Sequence, residues 1–266
     1  MPAQPPDAAS NADGVRIAEQ VVDEAPRPRR RRRRRTDWRQ GGRSVRRWDL
    51  WLLSAALIGV GFGLVGGATI SRIGLPWASF ASTLLLWLGM AVVVVFALTR
   101  SIPAGLLTFR PMDLMWGLGL GLGLRLLQGW TEGVESSAFP SVATIDGSLP
   151  QEWWFTTAVP ASVIAPLIEE FFFRGVVLVA VYQLFRRSVG VVASSLTALL
   201  ASAGGFVLLH SAFESLALAS GVQLFVVGAV CALTVLLTGR MWGAVCIHVV
   251  YNVSFLMLAV LGTMLA

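Results

Sequence analysis

The chain has 266 residues, of which 55% are hydrophobic and only 14% charged, and its mean hydropathy is +0.70. This composition excludes a soluble globular protein, because several nearly uncharged stretches of about 20 residues are long enough to cross a bilayer as helices. All 21 basic residues are Arg, and 13 of them lie before residue 49 against six acidic residues, so the net charge of +6 describes the N-terminal part and not the rest.

The N-terminal part, residues 1–47, is rich in Pro, Ala and charged residues and has no apolar period, which predicts a disordered cytoplasmic tail. Within it, Arg29 to Arg35 form an unbroken block of seven Arg. Because a membrane helix follows, we interpret the block as a topology determinant that contacts anionic lipid head groups, and not as a nucleic-acid-binding segment. A helical membrane domain is predicted over residues 48–266.

Seven apolar segments predict an all-α, polytopic protein with about seven transmembrane helices. Because basic residues favour the cytoplasmic side, the Arg-rich tail predicts a cytoplasmic N-terminus and an outer C-terminus, in the plasma membrane if the protein is bacterial. The connection 131–152 carries four acidic residues and no Arg, which fits the outer side, and only Arg72 disagrees with this topology. The predicted spans are 49–70, 77–98, 112–130, 154–184, 190–212, 217–238 and 241–265.

An alternation of Gly and Leu, "GLGLGLGL", occupies 117–124 in the third predicted span. It lacks the spacing of a dinucleotide-binding motif. At helical spacing it contains two G-x-x-x-G pairs, which favour close packing of membrane helices. The two pairs are Gly117 with Gly121 and Gly119 with Gly123.

Few strongly polar side chains lie inside the predicted spans, and in a membrane such residues are candidates for a functional site. Glu170 and Arg174 are four residues apart, so they share a helix face and are predicted to pair as a structural support. Glu169 points about 100° away from Glu170 and is the candidate reactive carboxylate. The full set includes both histidines of the chain and comprises Arg125, Glu169, Glu170, Arg174, His210, His248 and Asn252.

Two further pairs share a helix face at the same spacing, Phe206 with His210 and His248 with Asn252. A carboxylate beside an imidazole can activate water as a general base, and an imidazole with an Asn amide can stabilise an oxyanion. This combination predicts peptide-bond hydrolysis. Two alternatives remain, a proton-coupled transporter that relays protons through the glutamates and histidines, and a catalytically silent membrane scaffold or immunity protein.

Three motifs occur in order on separate predicted spans: "EEFFFR" at 169–174, "FVLLH" at 206–210 and "HVVYN" at 248–252. They resemble the E-E-x-x-x-R, F-x-x-x-H and H-x-x-x-N motifs of the CAAX-protease and bacteriocin-processing (CPBP, or Abi) intramembrane proteases. The resemblance covers about residues 150–255. It implies an endopeptidase that cleaves a membrane-associated peptide or protein, lipidated or not.

The resemblance also implies roles for single residues. The family is often described as metalloproteases, and two His with one carboxylate suffice to hold a zinc ion with one open position. The chain has no H-E-x-x-H motif, so the metal stays open, with a slight preference for metal-free water activation. The implied roles are water activation by Glu169 and His210, an oxyanion site of His248 and Asn252, and support from Glu170, Arg174 and Phe206.

Straight helices seated at equal depth do not bring these residues together. His210 lies about 30 Å along the helix from the start of the fifth predicted span, whereas His248 lies only about 12 Å past Arg240. We therefore expect one of two arrangements. Either the fourth and fifth spans extend into the cytoplasm, or Pro160 and Pro166 break the fourth span.

Overall fold

A computed structural model describes residues 1, 37–41, 43–131, 133, 140–142, 144, 149–212 and 215–265. In this part of the chain every regular element is helical and none is a strand, which confirms the all-α prediction. Helices occupy all seven predicted spans. The Arg29 to Arg35 block lies outside the described residues.

The helices follow the predicted boundaries to within a few residues. The fourth span, 154–185, combines two α-helices with wider π-helical turns at Trp154–Ala158, Pro160–Ile164 and Phe171–Val177. In chain order the α-helices are α1 (Leu50–Ser71), α2 (Ala78–Arg100), α3 (Met112–Thr131), α4 (Ala165–Glu170), α5 (Leu178–Phe185), α6 (Gly190–Ser211), α7 (Leu218–Thr238) and α8 (Trp242–Leu265).

Five helices of the described chain, α1, α2, α6, α7 and α8, are long and apolar enough to cross a membrane. The chain is therefore a multi-pass membrane protein. α3 has sufficient length, but Asp113, Arg125 and its glycines lower its hydropathy. The fourth span is divided into shorter α and π segments, so no single helix within it reaches the length of the other five.

Pro160 and Pro166 do not break the fourth span. The backbone at the junctions between its segments, at Val159, Ala165 and Phe171, has right-handed helical torsion angles. A Pro lacks the backbone N–H that an α-helix uses for hydrogen bonding. The π segment Trp154–Ala158 precedes Pro160, and the π segment Pro160–Ile164 begins at it. The expectation that a break brings the site residues together is therefore wrong.

The helices are instead seated at different depths. Phe206 lies 16 residues after the start of α6 and His248 lies six residues after the start of α8, yet their rings are 5.5 Å apart. At 1.5 Å per residue, the start of α6 lies about 15 Å beyond the start of α8 along the bundle. The different depths of the fifth and seventh spans therefore bring these two rings together.

Close approach between α3 and α8 depends on one of the two glycine pairs. A Cβ atom on Gly117 would overlap Cys246, and one on Gly121 would lie 2.9 Å from a backbone oxygen of α8. By contrast, a Cβ on Gly119 or Gly123 would meet no atom within 4 Å among the described residues. The packing role predicted for the first pair is confirmed, and the one predicted for the second pair is wrong.

Packing of the chain begins earlier than the predicted tail boundary at residue 47. Trp38 is fully buried, and its Nε1 donates a hydrogen bond to the Gly239 carbonyl at 3.0 Å. Its ring makes an edge-to-face contact with Tyr182, with centroids 5.4 Å apart. Arg39 donates to the carbonyl of Leu236 at 3.0 Å, near the end of α7. The segment 37–41 is therefore part of the helical domain.

Candidate active site

Glu170 and Arg174 form a fully buried ion pair inside the bundle. Both side chains have zero exposure, and Nη1 of Arg174 lies 2.9 Å from Oε1 of Glu170. Arg174 also donates Nη2 to the Gly228 carbonyl of α7 at 3.1 Å. The pairing predicted from the spacing is present, and it ties the fourth span to α7.

His248 approaches the same carboxylate from α8. Its Nδ1 lies 3.0 Å from Oε1 of Glu170, and because an ionised carboxylate only accepts hydrogen bonds, Nδ1 carries the hydrogen. The ring then directs Nε2 towards Oε2 of Glu169, 3.8 Å away. That distance exceeds a direct hydrogen bond and suits a bridging water molecule.

Glu169 has a different environment from its neighbour. Its side chain retains 11% exposure and lies on the wall of a cavity of about 860 Å³. α2, α3, the fourth span, α6, α7 and α8 all contribute residues to this wall. The residue predicted to react therefore faces open space, while the residue predicted to support it is enclosed.

His210 lines the same cavity from the last turn of α6. Its Nδ1 lies 2.9 Å from the Phe206 carbonyl, so Nδ1 is the donor and Nε2 is left for another partner. The two rings are in tilted contact, with centroids 4.5 Å apart and an interplanar angle of 53°. His210 is thus fixed in orientation by its own helix.

Phe206 occupies the middle of the site. The sequence places it beside His210, and the structure adds two contacts: the His248 ring at 5.5 Å and the Arg174 guanidinium at 4.8 Å from the ring centroid. Phe206 is fully buried. One aromatic ring therefore separates the two histidines and covers the buried ion pair.

Asn252 lies one turn after His248 on α8. Its amide nitrogen donates to the carbonyl of Ala161 in the fourth span at 2.9 Å. The contact holds a π-helical turn against α8 and leaves the second amide hydrogen available. Asn252 is half-buried.

The structure brings the predicted residues together to different degrees. Glu170, Arg174, His248 and Phe206 form one contact cluster, which Glu169 joins through His248. His210 contacts this cluster through Phe206 and lines the same cavity as Glu169. Asn252 lies beside the cluster, one helical turn after His248.

Residues 151–254 match the model of a protein family described as "Type II CAAX prenyl endopeptidase Rce1-like". This segment belongs to the CAAX-protease family. The match begins at the turn before the fourth span and includes all three motifs. No curated protein and no solved structure matches the chain. The CAAX-protease segment supports a hydrolase that acts on peptide bonds at the membrane, while α1 to α3 lie outside the matched range.

Several residues of the candidate site are not predicted from the sequence. Gln128 and Tyr251 line the cavity and hydrogen-bond each other, and Gln223 lines it while donating to the Leu124 carbonyl at 3.1 Å. A Gln inside an apolar span is a signal that the search for charged residues passed over. No sequence signal identifies the Gly228 carbonyl, because every residue carries one.

The side chains around Glu169 do not fit a zinc ion. Catalytic zinc sites use three protein ligands, and among the described residues no three His, Cys, Asp or Glu side chains come together as a metal site. Nδ1 of His248 already contacts Glu170, which leaves Nε2 of His248 and Oε2 of Glu169 as two ligands, and among the described residues His210 does not join them in a group of three.

Proposed function

We propose that the chain is an intramembrane endopeptidase of the CAAX-protease type that cleaves a membrane-associated peptide or protein with water activated by Glu169. The contrast between two adjacent carboxylates carries this proposal. Glu170 is enclosed by Arg174 and His248, whereas Glu169 borders a cavity large enough for a peptide segment. A purely structural pair of carboxylates has no need of that cavity.

In the proposed reaction, a water held by Glu169 gives its proton to the carboxylate while its oxygen attacks the substrate carbonyl carbon. The peptide C–N bond then breaks, and Glu169 returns the proton to the leaving amine. In neutral His210, Nε2 is an acceptor, because Nδ1 donates to the Phe206 carbonyl. Neutral His210 can therefore help Glu169 to hold the attacking water.

The developing oxyanion needs hydrogen-bond donors aimed at its position. Nδ1 of His248 already donates to Glu170, so Nε2 becomes a donor only when this ring is protonated. The second amide hydrogen of Asn252, one turn away, supplies another donor. We assign these two groups to the oxyanion, and Glu170 with Arg174 to holding His248 in place.

The test is cleavage of a pool of lipidated and unlipidated peptides by purified protein in nanodiscs, with products identified by mass spectrometry. Wild type is compared with Glu169→Gln and with Glu152→Gln, a matched control whose carboxylate is exposed before the fourth span. We expect cleavage by wild type and the control only. Equal cleavage by Glu169→Gln contradicts the site assignment. Proton-coupled uptake into vesicles without any cleavage supports the transporter.

A chelator experiment tests the role of a metal in the same assay. Because the side chains at Glu169 provide fewer than three ligands, we expect the cleavage rate to stay unchanged after treatment with a zinc chelator. Loss of activity that added zinc restores contradicts a metal-free mechanism and leaves the endopeptidase assignment intact.

A further inference from the structure

We propose that Gln223 binds the substrate, and that its side-chain oxygen accepts a hydrogen bond from a backbone N–H of the peptide within about two residues of the scissile bond. The inference rests on the proposed endopeptidase function and adds a substrate-binding residue to that site. It also restricts the substrate, because proline has no backbone N–H and is excluded from the position that Gln223 contacts.

The side-chain amide of Gln223 has a fixed orientation. Gln223 retains 7% exposure, and its Nε2 donates a hydrogen bond to the Leu124 carbonyl of α3 at 3.1 Å. If the amide were turned over, Oε1 would face that carbonyl, and two acceptors have no hydrogen to share. The bond to α3 therefore commits Nε2 and leaves Oε1 for another partner.

Oε1 of Gln223 is an acceptor on the wall of the cavity. Gln223 lines the same cavity of about 860 Å³ as Glu169 and His210. Within the part of the chain that the structure describes, no residue donates a hydrogen bond to Oε1, and this atom is not fully enclosed. A ligand that displaces water from such an acceptor without offering a donor binds more weakly. The cavity therefore favours a ligand that brings an N–H to Gln223.

The fourth span and α7 run parallel to each other. Arg174 of the fourth span donates to the Gly228 carbonyl of α7 at 3.1 Å. Further along both segments, the Tyr182 ring and the Gly239 carbonyl contact the same residue, Trp38. Both segments therefore advance in the same direction from the first contact to the second.

This parallel arrangement places Gln223 at the depth of Glu169. Glu169 lies five residues before Arg174, and Gln223 lies five residues before Gly228. At 1.5 Å per residue, each is about 7.5 Å back from the contact between Arg174 and Gly228. The two side chains that line the cavity therefore agree in depth to within about one helical turn of 5.4 Å.

The contact between α7 and α8 places Asn252 at that depth as well. The two helices are antiparallel, and Sγ of Cys231 lies 3.7 Å from the Ala244 carbonyl. Gln223 precedes Cys231 by eight residues. Asn252 follows Ala244 by eight residues, so about 12 Å of helix leads from this contact to each of the two amides. Gln223 and Asn252 therefore lie at matching depths on neighbouring helices.

These three groups complement a peptide backbone. Glu169 holds the attacking water and Asn252 donates to the oxyanion in the proposed reaction, while Gln223 adds an acceptor. An extended backbone offers both a carbonyl acceptor and an N–H donor at each residue other than proline. Because each extended residue covers about 3.3–3.6 Å, one helical turn of about 5.4 Å corresponds to about two residues from the scissile bond.

A purely structural role would make Gln223 only a link between α7 and α3. That role uses Nε2 and gives Oε1 no function. Thr234, also on α7 and also 7% exposed, has such a role, because its Oγ1 donates to the Val230 carbonyl of its own helix at 2.8 Å. Thr234 is not one of the described residues that line the cavity. Thr234→Val is therefore a matched control for the loss of a buried polar group on α7.

Replacement of single backbone N–H groups in a peptide tests the proposed hydrogen bond. The probe is the peptide of the pool that binds Glu169→Gln most tightly in nanodiscs, measured by fluorescence anisotropy after subtraction of binding to empty nanodiscs. Each N–H of this peptide is replaced in turn by an ester oxygen, which removes one donor and keeps the side chain. At one position near the scissile bond we expect the ester to weaken binding by about 10-fold, as for the loss of one hydrogen bond.

The same ester should lose its effect when the acceptor is absent. With Gln223→Met added to Glu169→Gln, we expect this ester to weaken binding by less than about 3-fold, because the N–H no longer has its partner. With Thr234→Val added instead, the 10-fold effect should remain. If Gln223→Met does not accumulate, Gln223→Leu replaces it.

Two results would overturn the inference, namely ester effects that are equal with and without Gln223 at every position, and absence of binding by every peptide of the pool. The proposed function fails separately. Binding with the expected ester pattern beside a wild type that cleaves no peptide would contradict the endopeptidase and leave the inference intact. Cleavage by wild type beside equal ester effects would contradict only the role of Gln223.

Discussion

Two neighbouring regions of the site use the same residue type in opposite ways. In the buried cluster, Glu170 shares its charge with Arg174 and His248 and has no exposure. In the cavity, Glu169 faces open space and has His248 as a neighbour at 3.8 Å. The two carboxylates are adjacent in the chain, so the rotation of about 100° between successive helical residues decides which one is structural and which one can react.

The largest expected effect is on catalysis. We expect Glu169→Gln to lower kcat for peptide cleavage by about 10² to 10⁴-fold, the usual contribution of a general base. The melting temperature in detergent should stay near the wild-type value, because Glu169 holds no ion pair at 2.9 Å as Glu170 does. A large loss of melting temperature together with activity would make Glu169 a structural residue.

The buried cluster should respond in the opposite manner, through stability. Arg174→Met strands the Glu170 carboxylate, whose Oε2 is already buried without a hydrogen-bond partner among the described residues. We expect a loss of about 3–5 kcal/mol in the free energy of unfolding, as for other broken buried ion pairs. Denaturant unfolding in detergent measures this loss.

A double variant sharpens the comparison. Glu170→Gln with Arg174→Met removes both charges, so we expect it to recover part of the stability lost in Arg174→Met alone. His248 then loses its carboxylate partner and should no longer be held in place, so activity should stay low. Recovery of activity in the double variant would contradict the assigned role of the pair in positioning His248.

A smaller effect is expected where α3 meets α8. Gly121→Leu places a side chain against the α8 backbone, 2.9 Å from the substituted Cβ position, and overpacking of this kind costs about 1–3 kcal/mol. Gly119→Leu is the matched control, because its Cβ position meets no atom of the described residues within 4 Å. Equal losses of melting temperature in the two variants would show that the contact with α8 is not responsible.

The smallest effect is expected in the segment 37–41, which packs against the C-terminal end of α7. Burial raises the pKa of Asp37, but its hydrogen bonds and charge attraction with Arg39 outweigh burial and lower that pKa below its usual value. A lowered pKa means that the stabilisation is present above the unfolded value of about 3.9 and is lost as the pH falls through the folded value.

Because the Asp37–Arg39 pair is about one-third exposed, Asp37→Asn should cost less than about 1 kcal/mol at neutral pH. The difference from wild type should shrink at low pH, where Asp37 is protonated. A difference that does not change with pH would exclude the ion pair as its cause.

The sequence predicts a structural feature well when that feature depends on residues close together in the chain. The seven helices follow from runs of apolar residues, and the Glu170–Arg174 pair follows from one helical turn. The glycine pattern allowed two pairs at equal spacing, and only the rotation of α3 against α8 placed Gly117 and Gly121, but not Gly119 and Gly123, at the contact.

Convergence of the histidines was beyond the reach of sequence spacing. It depends on α6 starting about 15 Å beyond α8 and on a fourth span that continues through Pro160 in a π-helical turn and through Pro166 in an α-helix. The packed position of Trp38 was missed for a similar reason, because its partners Tyr182 and Gly239 lie far along the chain.

The sequence by itself determined the membrane-spanning helices, the excess of Arg at one end of the chain and the candidate residues of the site, because hydropathy, charge and one-turn spacing are properties of short segments. The tertiary structure decided which carboxylate borders the cavity and which imidazole lies beside it. These depend on the depth and rotation of whole helices, and packing between segments distant in sequence sets both.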